Sequence, residues 1–360
     1  MIKSTFSIMY LKNIRFFKHT TKLEFPILIK GSSLLYRESI LCKFINYANE
    51  AVWSELIVLK ALNQSTLYSS FIEFRRIKKL LLQNNWCWES LLGEISQLPL
   101  MSDPKQFSSL HFCIEIAIFQ YLKKTSLDKF YIKIPINTLI RKGDKSLVNQ
   151  INAINSRQYQ AIKFKLGQLT VEEAKKKVTE LYLLKSSKQT LRLDINSRWS
   201  LHQFLSFTQY FGSNCFEYIE DPVNELESLK FLEENFTYPI ALDELLGSFV
   251  NLWSLDKIKA FVIKPGMIGS LKEIINLLNL AFIKNIVPVF TGTFESDLGI
   301  VNVLFLLHHL NINVPAGFDT YHWIDPKSRL IKNQVYFYQG YLYAYFADSF
   351  KIKVSKLHEI

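Results

Sequence analysis

Cysteine is scarce in this sequence and carries no pattern that would make it structural or metal-binding. Four cysteines occur in 360 residues. They are scattered and no two form a CxxC pair, so they make a poor disulfide framework and a poor zinc site. The sequence therefore predicts a protein of the reducing cytoplasm. The four are Cys42, Cys87, Cys113 and Cys215.

The sequence also lacks the pattern of a targeting or membrane-spanning segment. Its N-terminal stretch has basic residues on both sides of a short apolar run and no clear cleavage site, which disfavours a signal peptide. The longest suspicious run without Asp, Glu, Lys or Arg covers residues 298–318, but it contains Asn302, His308, His309 and Pro315. Such residues are costly in lipid and suit a buried helix followed by a strand. We expect no membrane insertion.

Acidic residues are fewer than basic ones, 32 against 43, and the formal net charge is +11. The lysines are mostly dispersed, which indicates a solvated surface rather than a nucleic-acid interface. Hydrophobic residues make up 49% of the chain and aromatic residues 14%, and this composition excludes a disordered or fibrous protein. The length favours two domains, or one large barrel with a smaller domain.

The pattern of apolar residues changes along the chain. Up to about residue 125 it is mixed, with a strand at residues 22–29 and helices at 71–83 and 109–122. From about residue 130, short apolar strands alternate with helices, two of which begin with capping boxes at Thr170 and Ser270. Repeated βα units favour parallel strands closed into a barrel, with an open doubly wound sheet as the alternative. The predicted strands are residues 132–136, 159–165, 191–194, 216–220, 240–243, 260–264 and 286–291.

Ionisable residues lie at the C-terminal end of five successive predicted strands. They are Lys165, Asp194, Glu220, Asp243 and Lys264. Neighbours in this series are separated by about one βα unit, roughly 20 to 30 residues, so in a barrel the five side chains would converge on one mouth. Barrel enzymes keep their chemistry at that face. The sequence therefore predicts a functional site there.

The three acidic strand ends, Asp194, Glu220 and Asp243, would repel one another strongly without a cation between them. Oxygen ligands favour a hard divalent ion, Mg²⁺ before Mn²⁺ or Ca²⁺. The alternative for any one of these residues is that it caps the helix after its strand. Because three occur on successive strands and lysines flank them, metal binding explains the set better.

Lys163 and Lys165 lie two residues apart on one predicted strand, so their side chains point to the same side. Two ammonium groups in one cavity should depress each other's pKa, which would make a lysine usable as a base near neutrality. Arg192 and Asp194 repeat this spacing on the next strand. The alternative is a pair of exposed lysines that protect an edge strand from aggregation.

Around these residues the sequence resembles the enolase superfamily, and within its muconate-lactonising subgroup the o-succinylbenzoate synthase family. The resemblance implies a (β/α)7β TIM-like barrel with an α+β capping domain formed by the N-terminal part and the C-terminal tail. The implied boundaries are residues 1–125 for the capping domain, 126–325 for the barrel and 326–360 for a segment that returns to the capping domain. The matching segments are AIKFKLG, LRLDINSRW, YIEDP, PIALDE, VIKPGMIGS, FTGTFESDLG and PAGFDT, with a weaker match at AVWSEL.

The resemblance also implies roles for the strand-end residues. Asp194, Glu220 and Asp243 match three Mg²⁺ ligands, and Mn²⁺ is an expected substitute. Lys165 matches a catalytic acid and base. Lys264 matches a catalytic lysine on the opposite face of the substrate.

Four further residues match positions that bind or orient the substrate. Lys163 and Arg192 match residues that tune or orient the site. Thr291 and Gly317 match contacts to the succinyl tail of the substrate. Three residues depart from the usual pattern: Thr291 and Thr293 stand where serines are commoner, and Asp221 where Glu or Gln is commoner.

The implied activity is the loss of water from a cyclohexadiene carboxylate that bears a hydroxyl and a succinyl tail, giving o-succinylbenzoate for menaquinone biosynthesis. Racemisation of N-acylamino acids, or epimerisation of dipeptides, is the nearest alternative, since both reactions begin with the same enolisation. A non-catalytic binding protein is a third hypothesis, but it would need a continuous basic surface with interleaved aromatics. We expect a small-molecule carboxylate substrate, no nucleic-acid partner, and either a monomer or a homo-oligomer.

Overall fold

Three sheets organise the part of the chain that the computed structural model describes. Cys87 lies outside the described residues, and Cys42, Cys113 and Cys215 are free thiols. The described residues are 11–29, 32–59, 63–83, 103, 105–123, 130–140, 146–248, 257–331, 334–346, 352–353 and 357–360.

The first sheet is antiparallel and combines both ends of the chain. A short C-terminal strand pairs with the first strand of the N-terminal region, so the sheet order is β14-β1-β2-β3. Two helices lie beside this sheet, and the second is buried around most of its circumference because it also packs against barrel helices. The elements are β1 (Leu11–Ile29), β2 (Ser32–Asn46), β3 (Ala51–Ile57), α1 (Leu67–Gln83), α2 (Ser108–Lys123) and β14 (His358–Glu359).

The second sheet has seven parallel strands, in sequence order, and α-helices lie in most of the described connections between them. Its strands are β5 (Asn137–Ile140), β6 (Ala161–Lys165), β7 (Thr190–Asp194), β8 (Tyr218–Glu220), β9 (Ile240–Leu242), β10 (Ile258–Ile263) and β11 (Val287–Phe290). Its helices are α3 (Leu147–Ser156), α4 (Val171–Leu184), α5 (Leu201–Thr208), α6 (Leu226–Asn235), α7 (Pro265–Ile268), α8 (Leu271–Ile283) and α9 (Asp297–His309).

A short extended segment joins the two edges of this sheet. Ala316 bridges in parallel to Ile136 beside β5, and Gly317 bridges in parallel to Thr291 after β11. This segment therefore takes the place of an eighth strand and closes the barrel. The predicted (β/α)7β barrel with a capping domain built from both chain ends is confirmed, and the doubly wound alternative is wrong. The boundaries at residues 125 and 325 stay predictions.

One predicted barrel strand belongs to a different sheet. The prediction at residues 132–136 corresponds to β4 (Phe130–Pro135), which pairs with the C-terminal strands β13 (Tyr341–Phe346) and, through it, β12 (Val335–Tyr338). The chain changes sheets at the next residue, because the amide of Ile136 donates to Gly340 while that of Asn137 donates to Ala316. Apolar alternation alone does not show such a switch.

Local helix signals hold in the structure. Thr170 and Glu173 form a complete capping box at α4, and the Ser270 hydroxyl accepts the Glu273 amide at α8. The uncharged run that begins at residue 298 is the buried helix α9, as expected. Among the described residues, no helix is both long and apolar enough to cross a bilayer.

His19 on β1 makes the stability of the fold sensitive to acid. Its side chain is buried, Nε2 has no hydrogen-bond partner within the described residues, and burial lowers the pKa of the imidazole to about 4. Between that value and the ordinary imidazole pKa the unfolded chain binds the proton and the native chain does not, so stability falls as the pH falls. At about pH 5 this costs about 2 kcal/mol relative to neutrality.

Urea unfolding at neutral and acidic pH measures this effect. His19→Gln should remove about 2 kcal/mol of the difference between the two conditions. The same substitution at the exposed His202 serves as the control and should leave the difference unchanged. Equal pH dependence in native protein and His19→Gln would contradict the assignment.

Candidate active site

The parallel register brings the predicted residues to one end of the barrel. Lys165 is the direct register partner of Asp194, and Asp194 is the partner of Glu220. Asp243 and Lys264 each follow directly after the last residue of β9 and β10. All five side chains therefore start from the C-terminal ends of five adjacent strands, as predicted.

Lys163 lies between two of the carboxylates. Its ammonium nitrogen is 2.9 Å from Oδ2 of Asp194, and 2.7 and 2.8 Å from the two carboxylate oxygens of Glu220. The side chains of Asp194 and Glu220 are each 1% exposed. The site therefore contains a buried cluster of opposite charges and is not a solvated surface.

Lys165 and Lys264 flank this cluster from opposite sides. The sheet order is β10-β9-β8-β7-β6, so the three strands that end in carboxylates separate the two that end in these lysines. The ammonium of Lys165 is 3.4 Å from Oδ2 of Asp194, and its side chain is 53% exposed. The ammonium of Lys264 is 2.5 Å from Oδ2 of Asp243, and its side chain is 18% exposed. A small molecule lying over the carboxylates would have an amine on each side.

The carboxylates control the charge state of Lys163. Burial disfavours its ammonium form, but Asp194 and Glu220 outweigh burial and hold the pKa of Lys163 well above its ordinary value. The expectation that Lys163 and Lys165 depress each other's pKa is therefore wrong for Lys163. The attraction of the two adjacent carboxylates raises its pKa by more than a neighbouring ammonium lowers it. The acids therefore favour the charged form of Lys163, which offsets part of their negative charge.

The two most buried acids respond to this environment in opposite directions. Burial disfavours ionisation of Asp194, yet Lys163 and Lys165 dominate and lower its pKa to about 2. The pKa of Glu220 is raised well above its ordinary value, because burial and then the negative charge of Asp194 oppose its ionisation despite Lys163. An additional cation at this point would favour the ionised form of Glu220.

A divalent metal fits the donor atoms of the cluster but not the present positions of the lysines. Within the described residues, no three His, Cys, Asp or Glu side chains stand ready to hold a metal ion. Lys163 occupies the space between Asp194 and Glu220, and Lys264 is paired with Asp243. However, Oδ2 of Asp194 is buried and has no hydrogen bond of normal geometry from any residue that the structure describes. The three carboxylates offer only hard oxygen donors, which suit Mg²⁺. The ammonium groups of Lys163 and Lys264 would have to move to admit the ion.

Arg192 lies level with Lys163, one layer below Asp194 and Glu220. In the strand register it is next to Lys163 and Tyr218, and its guanidinium donates to Glu217 at 2.7 and 2.9 Å. It also donates to the backbone carbonyl of Pro315 at 2.6 Å. These contacts tie β7 to β8 and to the segment that closes the barrel, so Arg192 supports the floor of the site. Its predicted contact with a substrate stays a prediction.

Thr291 and Gly317 lie side by side where the barrel closes. The Thr291 hydroxyl donates to the Gly317 carbonyl at 3.3 Å, and the Gly317 amide donates to Phe290. A Cβ on residue 317 would lie 2.4 Å from the Thr291 hydroxyl, so only glycine allows this approach. The structure thus brings both predicted tail-contact residues together.

Two residues of the site have roles that the sequence did not indicate. Asp221 adopts a left-handed backbone, and its carboxylate accepts the amides of Asp243 and Glu244 at 3.0 and 2.7 Å. It therefore fixes the strand end that carries Asp243. Asn196 places its side-chain carbonyl 3.5 Å from the ammonium of Lys165. In the sequence Asp221 directly follows Glu220 in YIEDP, and Asn196 follows Asp194 by two residues in LDIN. Nothing in these segments indicates the separate roles of the two residues.

Comparison with known sequences agrees with this geometry. The family described as enolase C-terminal domain-like matches residues 146–342. The chain is 22% identical over 324 residues to the o-succinylbenzoate synthase of Pasteurella multocida, with 88% of this chain and 91% of that protein covered. It is 26% identical over 183 residues to Protein PHYLLO, chloroplastic, of Arabidopsis thaliana, where the match covers 44% of this chain but only 11% of that protein.

Comparison with solved structures identifies the fold. The o-succinylbenzoate synthase of Thermosynechococcus elongatus, solved with Mg in its active site, superposes with a TM-score of 0.71 at 19% identity, covering 87% of this chain and 94% of that one. The L-Ala-D/L-Glu epimerase of Bacillus subtilis superposes with a TM-score of 0.77 at 15% identity, covering 93% and 96%. Enzymes with different reactions are thus similarly close in structure. The family match over more than half of the chain and the shared barrel together place this protein in the enolase superfamily.

Proposed function

We propose that the protein is a Mg²⁺-dependent dehydratase that forms o-succinylbenzoate from a cyclohexadiene carboxylate with a hydroxyl and a succinyl tail. The observation that carries the proposal is the pair of amines, Lys165 and Lys264, on opposite sides of three buried carboxylates. A curated relative that matches 88% of the chain is an o-succinylbenzoate synthase. By this proposal the protein is a carbon–oxygen lyase of menaquinone biosynthesis.

Asp194, Glu220 and Asp243 would hold the metal, since they supply only oxygen donors from adjacent strand ends. Bound Mg²⁺ would act as a Lewis acid on the substrate carboxylate, and Mn²⁺ should substitute for it because it accepts the same ligands. Lys163 would remain beside the acids and keep the total charge of the site low. Burial of all these groups strengthens their electrostatic interaction with the substrate.

Lys165 would remove the proton from the carbon next to the substrate carboxylate. Lys264, as an ammonium ion, would balance the negative charge that this proton loss leaves on the substrate. Lys165 would then return the proton to the departing hydroxyl on the same face, so that water leaves by syn elimination. The C–H and C–O bonds break, a C=C bond forms, and the ring becomes aromatic.

Thr291 and Gly317 would contact the succinyl tail, because they lie together at the barrel closure: Thr291 follows β11, the strand next to the one that carries Lys264, and Gly317 lies on the closing segment beyond it. Arg192 would orient the site for the substrate, as its bonds to Glu217 and Pro315 hold the strands beneath the acids. The scattered cysteines support a reducing cytoplasmic location for the reaction.

Racemisation of N-acylamino acids or epimerisation of dipeptides is the second candidate. Two amines on opposite sides of one carbon could remove a proton from one face and return it to the other. The structural similarity to the Bacillus subtilis epimerase and to an N-succinyl Arg/Lys racemase of Bacillus cereus favours this alternative.

Two parallel assays distinguish dehydration from racemisation or epimerisation. Protein with Mg²⁺ is incubated with the hydroxylated cyclohexadiene acid, and formation of the aromatic product is followed by ultraviolet absorbance. In parallel, N-succinylamino acids and dipeptides are incubated in D₂O, and deuterium uptake at the α carbon is followed by NMR. Chelator-treated protein is the control for both. Deuterium uptake without dehydration would replace the first proposal by the second.

A further inference from the structure

Two strands of the capping sheet reach the turn that follows barrel strand β11. Arg37 on β2 and Glu55 on β3 are 5% and 6% exposed, and both side chains contact residues 293–296. This turn continues directly from Thr291, to which the proposed function assigns a contact with the substrate tail. The inference drawn from it therefore rests on the proposed function.

Arg37 holds two consecutive carbonyl groups of the turn. Its guanidinium donates to Thr293 at 3.4 Å and to Phe294 at 3.5 Å, and at the same time to Val58 beyond β3 at 3.1 Å. Phe294 has a φ of 64°, in the left-handed region that a bulky side chain adopts only at a cost in free energy. The surrounding contacts must supply that free energy, and Arg37 supplies hydrogen bonds on both sides of the strained residue.

Two carboxylates hold amide groups of the same turn. Glu295 accepts the amide and the hydroxyl of Thr293 at 2.7 and 2.8 Å. Glu55 accepts the amide of Ser296 at 3.0 Å, and Ser296 is the N-cap of α9. The start of the helix is thus fixed by a carboxylate from the other domain.

The three side chains are buried together, and burial raises the pKa of Glu55 to about 7. Burial lowers the pKa of Arg37, while Glu295 and Glu55 favour its charged form. Close approach of the acids requires glycine: a Cβ at Gly299 would clash with a carboxylate oxygen of Glu55, and one at Gly292 would lie 2.5 Å from Glu295. Removing one partner from a buried charged contact strongly destabilises the folded state, because the other charge is left uncompensated. These buried side chains therefore form a specific contact between the capping domain and the barrel.

We propose that Arg37, Glu55 and Glu295 form a brace that positions the turn at residues 291–296 for binding the substrate tail. These three are positioning residues, and none of them is assigned a contact with the substrate. The brace makes the tail-binding side of the site depend on how the capping sheet docks on the barrel. The carboxylate cluster, which starts from β7, β8 and β9, does not depend on it.

Steady-state kinetics of Arg37→Met test the brace. We expect KM for the succinyl-bearing substrate to rise about tenfold while kcat changes less than about threefold, because ground-state positioning is lost and the reacting groups are intact. Arg37→Lys should recover part of the change, and Glu55→Gln, which keeps the shape of the side chain, should raise KM in the same direction. The control is Arg15→Met, since Arg15 bonds to Glu359 within the capping sheet.

Hydrogen exchange gives a readout that does not depend on the reaction. Arg37→Met and Glu55→Gln should speed amide exchange across residues 291–299, with residues 258–268 unchanged and Arg15→Met without effect. Lower thermal stability with unchanged KM and unchanged exchange at 291–299 would overturn the brace. If the native protein turns over neither substrate class, the proposed function fails, and the exchange experiment still decides whether the brace holds the turn.

Discussion

Lys165→Ala is expected to reduce kcat by about a thousandfold or more, because Lys165 both removes and returns the proton in the proposed reaction. The side chain is half exposed at the mouth of the barrel, so its loss leaves a space that water fills and the fold tolerates. The three carboxylates and Lys163 stay in place. Affinity for Mg²⁺, measured by calorimetry, should therefore change little while turnover disappears.

Two further variants show whether the loss of turnover comes from the missing base or from the missing positive charge. Lys165→Arg keeps a cation near Asp194 but supplies no base near neutrality. It should be as inactive as the alanine variant. Lys177→Ala, at an exposed lysine of the helix that follows the same strand, is the matched control and should keep native turnover. Near-native turnover in Lys165→Ala would remove Lys165 from the reaction.

The site could be predicted from the sequence where strand position alone decides geometry. In a parallel barrel, neighbouring strands end at the same level, so Asp194 and Glu220 meet because each terminates its strand. The same argument predicts that Lys165 and Lys264 lie on either side of the acids, because their strands, β6 and β10, flank the three strands that end in carboxylates. The closing segment at Gly317 followed from the family resemblance, since two bridged residues are too short to show as a strand.

The rest could not be predicted, because it depends on contacts between distant parts of the chain. The pKa of Lys163 is set by acids that lie 31 and 57 residues away in sequence, and strand periodicity describes only its own strand. Arg192 has the same spacing relative to Asp194 as Lys163 has to Lys165, yet it turns to Glu217 below the site. Arg37 reaches a turn 256 residues further along the chain, and no local pattern indicates such a contact.

A second large effect is expected from Asp194, the acid that touches both lysines of β6. Its carboxylate is buried, and the adjacent Lys163 and Lys165 lower its pKa to about 2 despite that burial, which favours its ionised form. Glu227→Gln, at an exposed acid on the helix after β8, removes one negative charge without entering the cluster and is the matched control. It should leave Mg²⁺ binding and turnover unchanged.

Asp194→Asn is expected to weaken Mg²⁺ binding by about a hundredfold or more and to lower turnover with it, because a neutral amide oxygen replaces one of the three anionic ligands of the proposed site. Removing Asp194 also takes a buried ion-pair partner from Lys163 and Lys165, so lost binding has to be separated from lost stability. Calorimetric titration with Mg²⁺, together with a thermal unfolding curve of the metal-free variant, measures both quantities. Unchanged Mg²⁺ affinity would exclude Asp194 from the ligands, and lost affinity with an intact unfolding transition would support a site shared by β7, β8 and β9.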